Sequence, residues 1–150
     1  DKPVQNPQAF RYRFTTKGIG GAAELGVLRK GQKLKATIAL MPPVEDPPRD
    51  ARELAGRHPL TGSTVANLSP AVAQEVGIDD DTRSGVVVLE VKARTPAARL
   101  GVKRGDIVVA VNNEKIVSVK QLATLLAIGG GAWRLSLERD GKIFNLAIQG

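Results

Sequence analysis

Between Met41 and Pro59 the chain reads MPPVEDPPRDARELAGRHP and holds five of the nine prolines. Proline lacks an N–H and has no place inside a helix or a central strand, so no regular element crosses this stretch. Prolines mixed with charges and without a hydrophobic period predict an extended linker over 43–58. It divides the chain into a front piece, 1–42, and a back piece, 59–150, the latter of ordinary small-domain size.

The back piece is regularly punctuated. Ser63 to Leu68 reads as a short strand. Ser69-Pro70 gives an N-cap with proline at the first helical position, and the helix that follows ends at Gly77. Gly85 to Ala93 is β-branched and reads as a strand. Thr95-Pro96 opens a second short helix, which stops at Gly101. Asp106 to Val111 is a buried strand, followed by a turn at Asn112-Asn113. Ser118 with Gln121 has capping-box spacing and opens the longest helix, which runs to Gly129. Trp133 to Arg139 and Lys142 to Gln149 alternate around Asp140-Gly141, a strong hairpin signal.

The front piece repeats the second half of this order. Asp1 to Phe14, capped at Asn6-Pro7, echoes the longest helix. Ala23 to Arg29 and Gln32 to Leu40 form a hairpin around Lys30-Gly31, and Gly18 to Gly21 stands where Gly129 to Gly131 stands later. An internal repeat follows, with only the later half of the unit present in front. Such a helix-plus-hairpin piece cannot cover its own sheet face. It is expected to pack on something, to swap with a second chain in a dimer, or to be loosely ordered in a monomer.

Composition narrows the function classes. A hydrophobic content of 42% with no long apolar run predicts a folded chain without a membrane-spanning helix. No signal peptide is visible. The chain begins with Asp and reads as a piece of a longer one. The absence of Cys removes disulfides and thiolate chemistry, and fits an oxidising compartment. A net charge of +7 would suit nucleic acid or an anionic surface, but the basic residues are scattered and aromatics are 3%, too few for base stacking. Nucleic-acid binding therefore stays a minor alternative. His58 is the sole histidine, and no Gly-x-Ser-x-Gly sequence accompanies it, so no catalytic residue is assigned. Asp79-Asp80-Asp81 lacks calcium-loop spacing and reads as a solvated loop. No metal site and no cofactor are expected. Gly129-Gly130-Gly131 ends a helix, the reverse of a phosphate cradle. Trp133 reads as a packing anchor.

The run Thr95-Pro96-Ala97-Ala98-Arg99-Leu100-Gly101-Val102-Lys103-Arg104-Gly105-Asp106-Ile107-Val108 resembles the signature of bacterial PDZ domains. Leu60-Thr61-Gly62-Ser63 and Asn67-Leu68-Ser69-Pro70-Ala71 are similar to the opening of the second PDZ domain in HtrA/Do-type serine proteases. The resemblance covers the whole back piece, and the front piece resembles a preceding PDZ domain from its long helix onward. The fold it implies is mainly β with short helices (α+β): a PDZ-like, partly open barrel or sandwich capped by two helices, preceded by the helix-plus-hairpin half-domain. The implied parent is a periplasmic serine endoprotease, trimer-based, whose protease domain lies upstream. A parent of another kind, a secretion component or a metalloprotease, remains the alternative.

The implied function is capture of C-terminal or unfolded, hydrophobic peptide segments as an added strand. Leu60, Thr61, Gly62 and Ser63 would form the carboxylate loop, its main-chain amides turned to the peptide end. Thr64, Val65 and Asn67 would lie on the exposed edge strand. Val119, Ala123 and Leu126 share a helical stripe and would form the other wall. Val119 stands where PDZ domains that select Ser or Thr carry His, which implies an apolar preference two residues before the peptide end. The chain departs from the family at Ser63, where a bulky apolar residue is typical. Arg57 and His58 read as solvated linker side chains.

Overall fold

The computed structural model describes residues 21–39, 41–79 and 83–149. The helix expected over Asp1 to Phe14, most of the Gly18 to Gly21 loop, and Asp80 and Asp81 lie outside them. The chain separates into two compact units, dividing between Pro43 and Val44.

In the front unit β1 (Ala22–Arg29) and β2 (Gln32–Ala39) pair antiparallel from Arg29↔Gln32 outward to Ala22↔Ala39. Lys30 and Gly31 both take positive φ, 50° and 79°. A two-residue turn of this kind matches the right-handed twist of the strands, and it fixes the register.

The back unit is built on one open antiparallel sheet. Its elements are β3 (Arg52–Glu53), β4 (Ser63–Asn67), α1 (Pro70–Val76), β5 (Val86–Val91), α2 (Pro96–Arg99), β6 (Ile107–Val111), β7 (Glu114–Lys115), α3 (Val119–Ile128), β8 (Ala132–Arg139) and β9 (Lys142–Gln149). The strand order is β3-β4-β5-β6-β8-β9, with β7 beside β6. The three caps expected from sequence are in place: Ser69, Thr95 and Ser118 each accept a backbone N–H of the first turn, those of Val72, Ala98 and Gln121. Gln121 completes the last cap by accepting the N–H of Val117 at 2.8 Å.

β5 is buried on both faces, which explains its unbroken Val86-Val87-Val88 run. Val86 and Val88 point into the main core with Leu60, Val65, Val119, Leu122, Trp133 and Leu135. Val87 points the other way, into a smaller cluster with Ala66, Leu68, Val72 and Ile107 beneath α1. The Gly105-Asp106 turn is locked by charge. Asp106, fully buried, accepts the N–H of Lys103 at 2.8 Å and two bonds from the Arg139 guanidinium, at 2.6 and 2.8 Å. Arg139 also donates to the carbonyl of Gly101 at 2.8 Å. The carboxylate in turn raises the pKa of Arg139, chiefly through the hydrogen bond.

The main departure from the sequence reading concerns 43–58. It is not a free linker: from Val44 onward it belongs to the back unit, contributes β3, and buries Leu54 and His58. The interval from Arg49 to His58 holds no proline, and it supplies β3 and the two buried side chains.

Candidate functional site

The loop before β4 is shaped by one glycine. Gly62 has φ +89°, and a Cβ there would stand 2.3 Å from the Thr95 side chain. Both the conformation and the close approach require glycine. The carbonyl of Gly62 accepts the N–H of Lys92 at 2.8 Å, and that of Thr61 accepts the N–H of Ala97 at 3.2 Å, so the loop is pinned to β5 and α2. Leu60 and Ser63 are fully buried, and Ser63 Oγ donates to the carbonyl of Leu60 at 2.6 Å.

The amides expected to hold a peptide carboxylate are already engaged. Thr61 N–H donates to His58 O at 3.2 Å and Ser63 N–H to Leu60 O at 3.1 Å. Gly62 N–H donates to Leu54 O at 2.9 Å. Two of the three close local turns, and the third holds the chain's own residue.

The strand expected as an exposed edge is covered as well. β3 pairs with β4 antiparallel, Arg52↔Val65 and Glu53↔Thr64. The pairing continues at both ends. Leu54 N–H donates to Ser63 O at 2.8 Å, and Asn67 N–H donates to Arg49 O at 2.7 Å. Asn67 joins three elements: its Nδ2 donates to Pro48 O and its Oδ1 accepts the N–H of Val119, each at 2.8 Å. The edge reading of Ser63 to Asn67 is thus corrected. The segment 48–54 occupies that edge, because its backbone groups there find the partners that an open edge leaves free.

The other wall is α3, and its three expected residues divide. Ala123 and Leu126 line a cleft of about 300 Å³ together with Arg52, Leu54 and His58. Val119 does not line this cleft; fully buried, it sits in the core beside Leu122. Leu54, 5% exposed, belongs to the same core cluster as Leu60, Val65, Leu122 and Leu126. Ala127 and Gly129, which sequence reasoning did not single out, also line the cleft.

Charges frame the covering segment. Glu53 pairs with Lys92 at 2.6 Å, which raises the lysine pKa through the hydrogen bond. Arg49 bridges Glu45 and Glu75, both at 2.8 Å. Arg52 pairs with Asp50 at 2.9 Å. His58, expected as a solvated side chain, is 8% exposed and meets Trp133 edge-on at 6.4 Å between ring centroids. Burial lowers its pKa, opposed by a hydrogen bond between Nε2 and the carbonyl of Ala55. Leu54, Arg52 and Glu53 were missed because the neighbouring prolines dominate the stretch. The available signal was Ala51 to Ala55, ARELA, a proline-free run in which charged residues precede one large apolar residue.

Residues 87–139 match the family model described as PDZ domain. The chain is 28% identical over 148 residues to a probable periplasmic serine endoprotease DegP-like of Chlamydia muridarum, an alignment covering 98% of this chain and 28% of that protein. It is 26% identical over 149 residues to the periplasmic serine endoprotease DegP of Salmonella typhimurium, covering 99% and 28%. A solved structure of the HtrA3 PDZ domain bound to a phage-derived ligand aligns with a TM-score of 0.46 and 23% identity, covering 59% of this chain and 86% of that one. The chain spans 28% of the length of the DegP-type relatives just named. The back unit thus carries the match to the PDZ-domain model, and nearly the whole chain aligns with DegP-like periplasmic serine endoproteases.

Proposed function

We propose that the back unit captures extended, hydrophobic segments of other proteins by strand addition along β4, with one apolar side chain entering the cleft beneath α3. PDZ domains are peptide-binding modules of this kind. Main-chain bonds along β4 supply affinity that does not depend on sequence. The cleft walls, Ala123 and Leu126, supply selection. Gly62 provides the amide at the end of the slot, held in place by its neighbours Leu60, Thr61 and Ser63. Thr64, Val65 and Asn67 form the pairing strand, and Val119 buttresses the helix from within the core.

One observation carries this reading: β4 already holds an extended segment in this manner, through Leu54 N–H to Ser63 O and Gly62 N–H to Leu54 O. In a parent of the relatives' kind the module would deliver substrate to, and regulate, an upstream trypsin-like protease domain in the periplasm, within a trimer-based oligomer. The present residues contribute recognition and leave bond cleavage to that domain.

The test is an NMR titration of the intact chain with peptides rich in Leu, Val and Ile, each with a free and with a capped C-terminus. Amide shifts are expected at Thr61 to Asn67 and from Val119 to Leu126. Shifts confined to other regions, across a library of such peptides, would overturn the assignment.

A further inference from the structure

We propose that Arg49–Leu54 is a tethered ligand of this groove and that its sequence states what the groove accepts: an internal stretch with a leucine buried beside α3 and an acidic residue immediately before it. The inference rests on the strand-addition reading above and names the ligand class of that same site.

Three observations support it. The segment runs antiparallel to β4 and bonds to the strand at both ends, through Arg49 O and through both main-chain groups of Leu54. A strand two residues long has little stability of its own. It is held as a ligand is held, by an edge and by one buried side chain. Leu54, 5% exposed, packs into the core cluster with Leu60, Val65, Leu122 and Leu126 and forms one wall of the cleft beside Ala123 and Leu126. Glu53, on the opposite face of the strand, reaches Lys92, whose ammonium is the group that would select an acidic side chain at this position.

The groove is also built for a chain that continues. A terminal carboxylate carries two oxygens and needs several donors. Among Thr61, Gly62 and Ser63 only Gly62 N–H points to the occupant, and one amide carbonyl satisfies it. Beyond Leu54 the backbone passes on through Ala55 and Gly56, and Thr61 Oγ1 lies 2.8 Å from the carbonyl of Gly56. An internal segment reproduces all of this, and a chain end does not.

A tethered competitor weakens outside ligands by the fraction of time it occupies the groove. Short tethers give effective concentrations near millimolar, so a tethered segment whose own Kd is about 0.1 mM weakens an outside ligand about ten-fold. The probe is a capped peptide with the sequence of residues 48–57, titrated into the intact chain and into Leu54→Asp, in which a carboxylate would have to take the place of a leucine packed among Leu60, Val65, Leu122 and Leu126. The variant is expected to bind about ten-fold more tightly. Equal affinity overturns the tether. Should Leu54→Asp fail to fold, Glu53→Lys loosens the segment from the exposed Lys92 instead, with a gain of about two-fold expected.

A peptide carrying Lys in place of the Glu should bind more weakly, and Lys92→Glu should reverse that order. An unchanged order overturns the role of Lys92. A free-acid peptide ending at the Leu that binds more tightly than the capped one overturns the preference for internal segments. If folded protein binds none of these peptides in any variant, the strand-addition reading itself falls, whereas equal binding by intact and released chains removes the tether alone.

Discussion

The two terminal hairpins share a design and differ in surroundings. β1/β2 and β8/β9 are each two eight-residue strands, closed at Lys30-Gly31 and at Asp140-Gly141. The turn dihedrals nearly coincide, with φ of 50° and 79° in one and 50° and 76° in the other. Arg29↔Gln32 in the first corresponds to Arg139↔Lys142 in the second. Their burial diverges. Val27 and Leu34, paired across the front hairpin, are 45% and 48% exposed, while Leu135 and Leu137 of β8 are buried. Turn chemistry and strand alternation build a hairpin locally. Covering its apolar face takes elements from elsewhere, which in the back unit are the strands and α3 that share its core.

That difference is most sharply tested by paired truncations. Leu135→Ala should cost about 2–5 kcal/mol, because a fully enclosed side chain leaves a cavity when cut back. Val27→Ala, at an exposed position of the same hairpin type, should stay within about 0.5 kcal/mol. Urea unfolding followed through the amide NMR signals of each hairpin measures both. A cost at Val27 approaching that at Leu135 would break the comparison, since it would mean that the front face is covered in solution.

A smaller effect separates the two arginines that close β1 and β8. Arg139 serves the buried Asp106, and removing it strands a carboxylate with 1% side-chain exposure. Arg139→Ala should cost about 3 kcal/mol, the lower end of what breaking a buried pair costs, because the arginine itself is partly exposed. Arg29→Ala, at an exposed position, should again stay within about 0.5 kcal/mol. The same unfolding experiment reads both, and equal costs would show that Asp106 finds another donor.

Much of this architecture was legible in the sequence because it is locally encoded. Ser69-Pro70, Thr95-Pro96 and Ser118 with Gln121 announce helices through capping chemistry that needs no tertiary partner, and Asp140-Gly141 announces its hairpin in the same way. The loop at Gly62 was legible as a glycine requirement, and the structure adds its reason, the approach of Thr95. The state of the groove was not legible. Whether the edge of β4 is open depends on residues 48–54, whose pairing is non-local and whose one proline, Pro48, with Pro47 before it, argues for an extended chain. Extended is what they are; nothing in their spacing says against which strand they lie. The helix stripe failed similarly at Val119. Periodicity groups it with Ala123 and Leu126, while the bond from its N–H to Asn67 and its full burial fix it in the core.

The smallest effect concerns a contact made in the back hairpin, the edge of Trp133 against His58. Burial holds the imidazole below its ordinary pKa of about 6.5, so near and below that pH the folded chain binds fewer protons than the unfolded one. Stability then rises with pH: the contribution is fully present above 6.5 and is lost as pH falls through the folded value. Unfolding midpoints measured from pH 7.5 down to 5 should decline, and the decline should be shallower in His58→Phe, which keeps a ring against Trp133 without a titrating nitrogen. Carboxylates act mainly below this window and are common to both proteins, so the difference between the two curves isolates the histidine. Identical slopes would mean that the loop opens to let His58 protonate in water. The ring contact would then add nothing to what distinguishes β8/β9 from β1/β2, and strand burial alone would have to account for it.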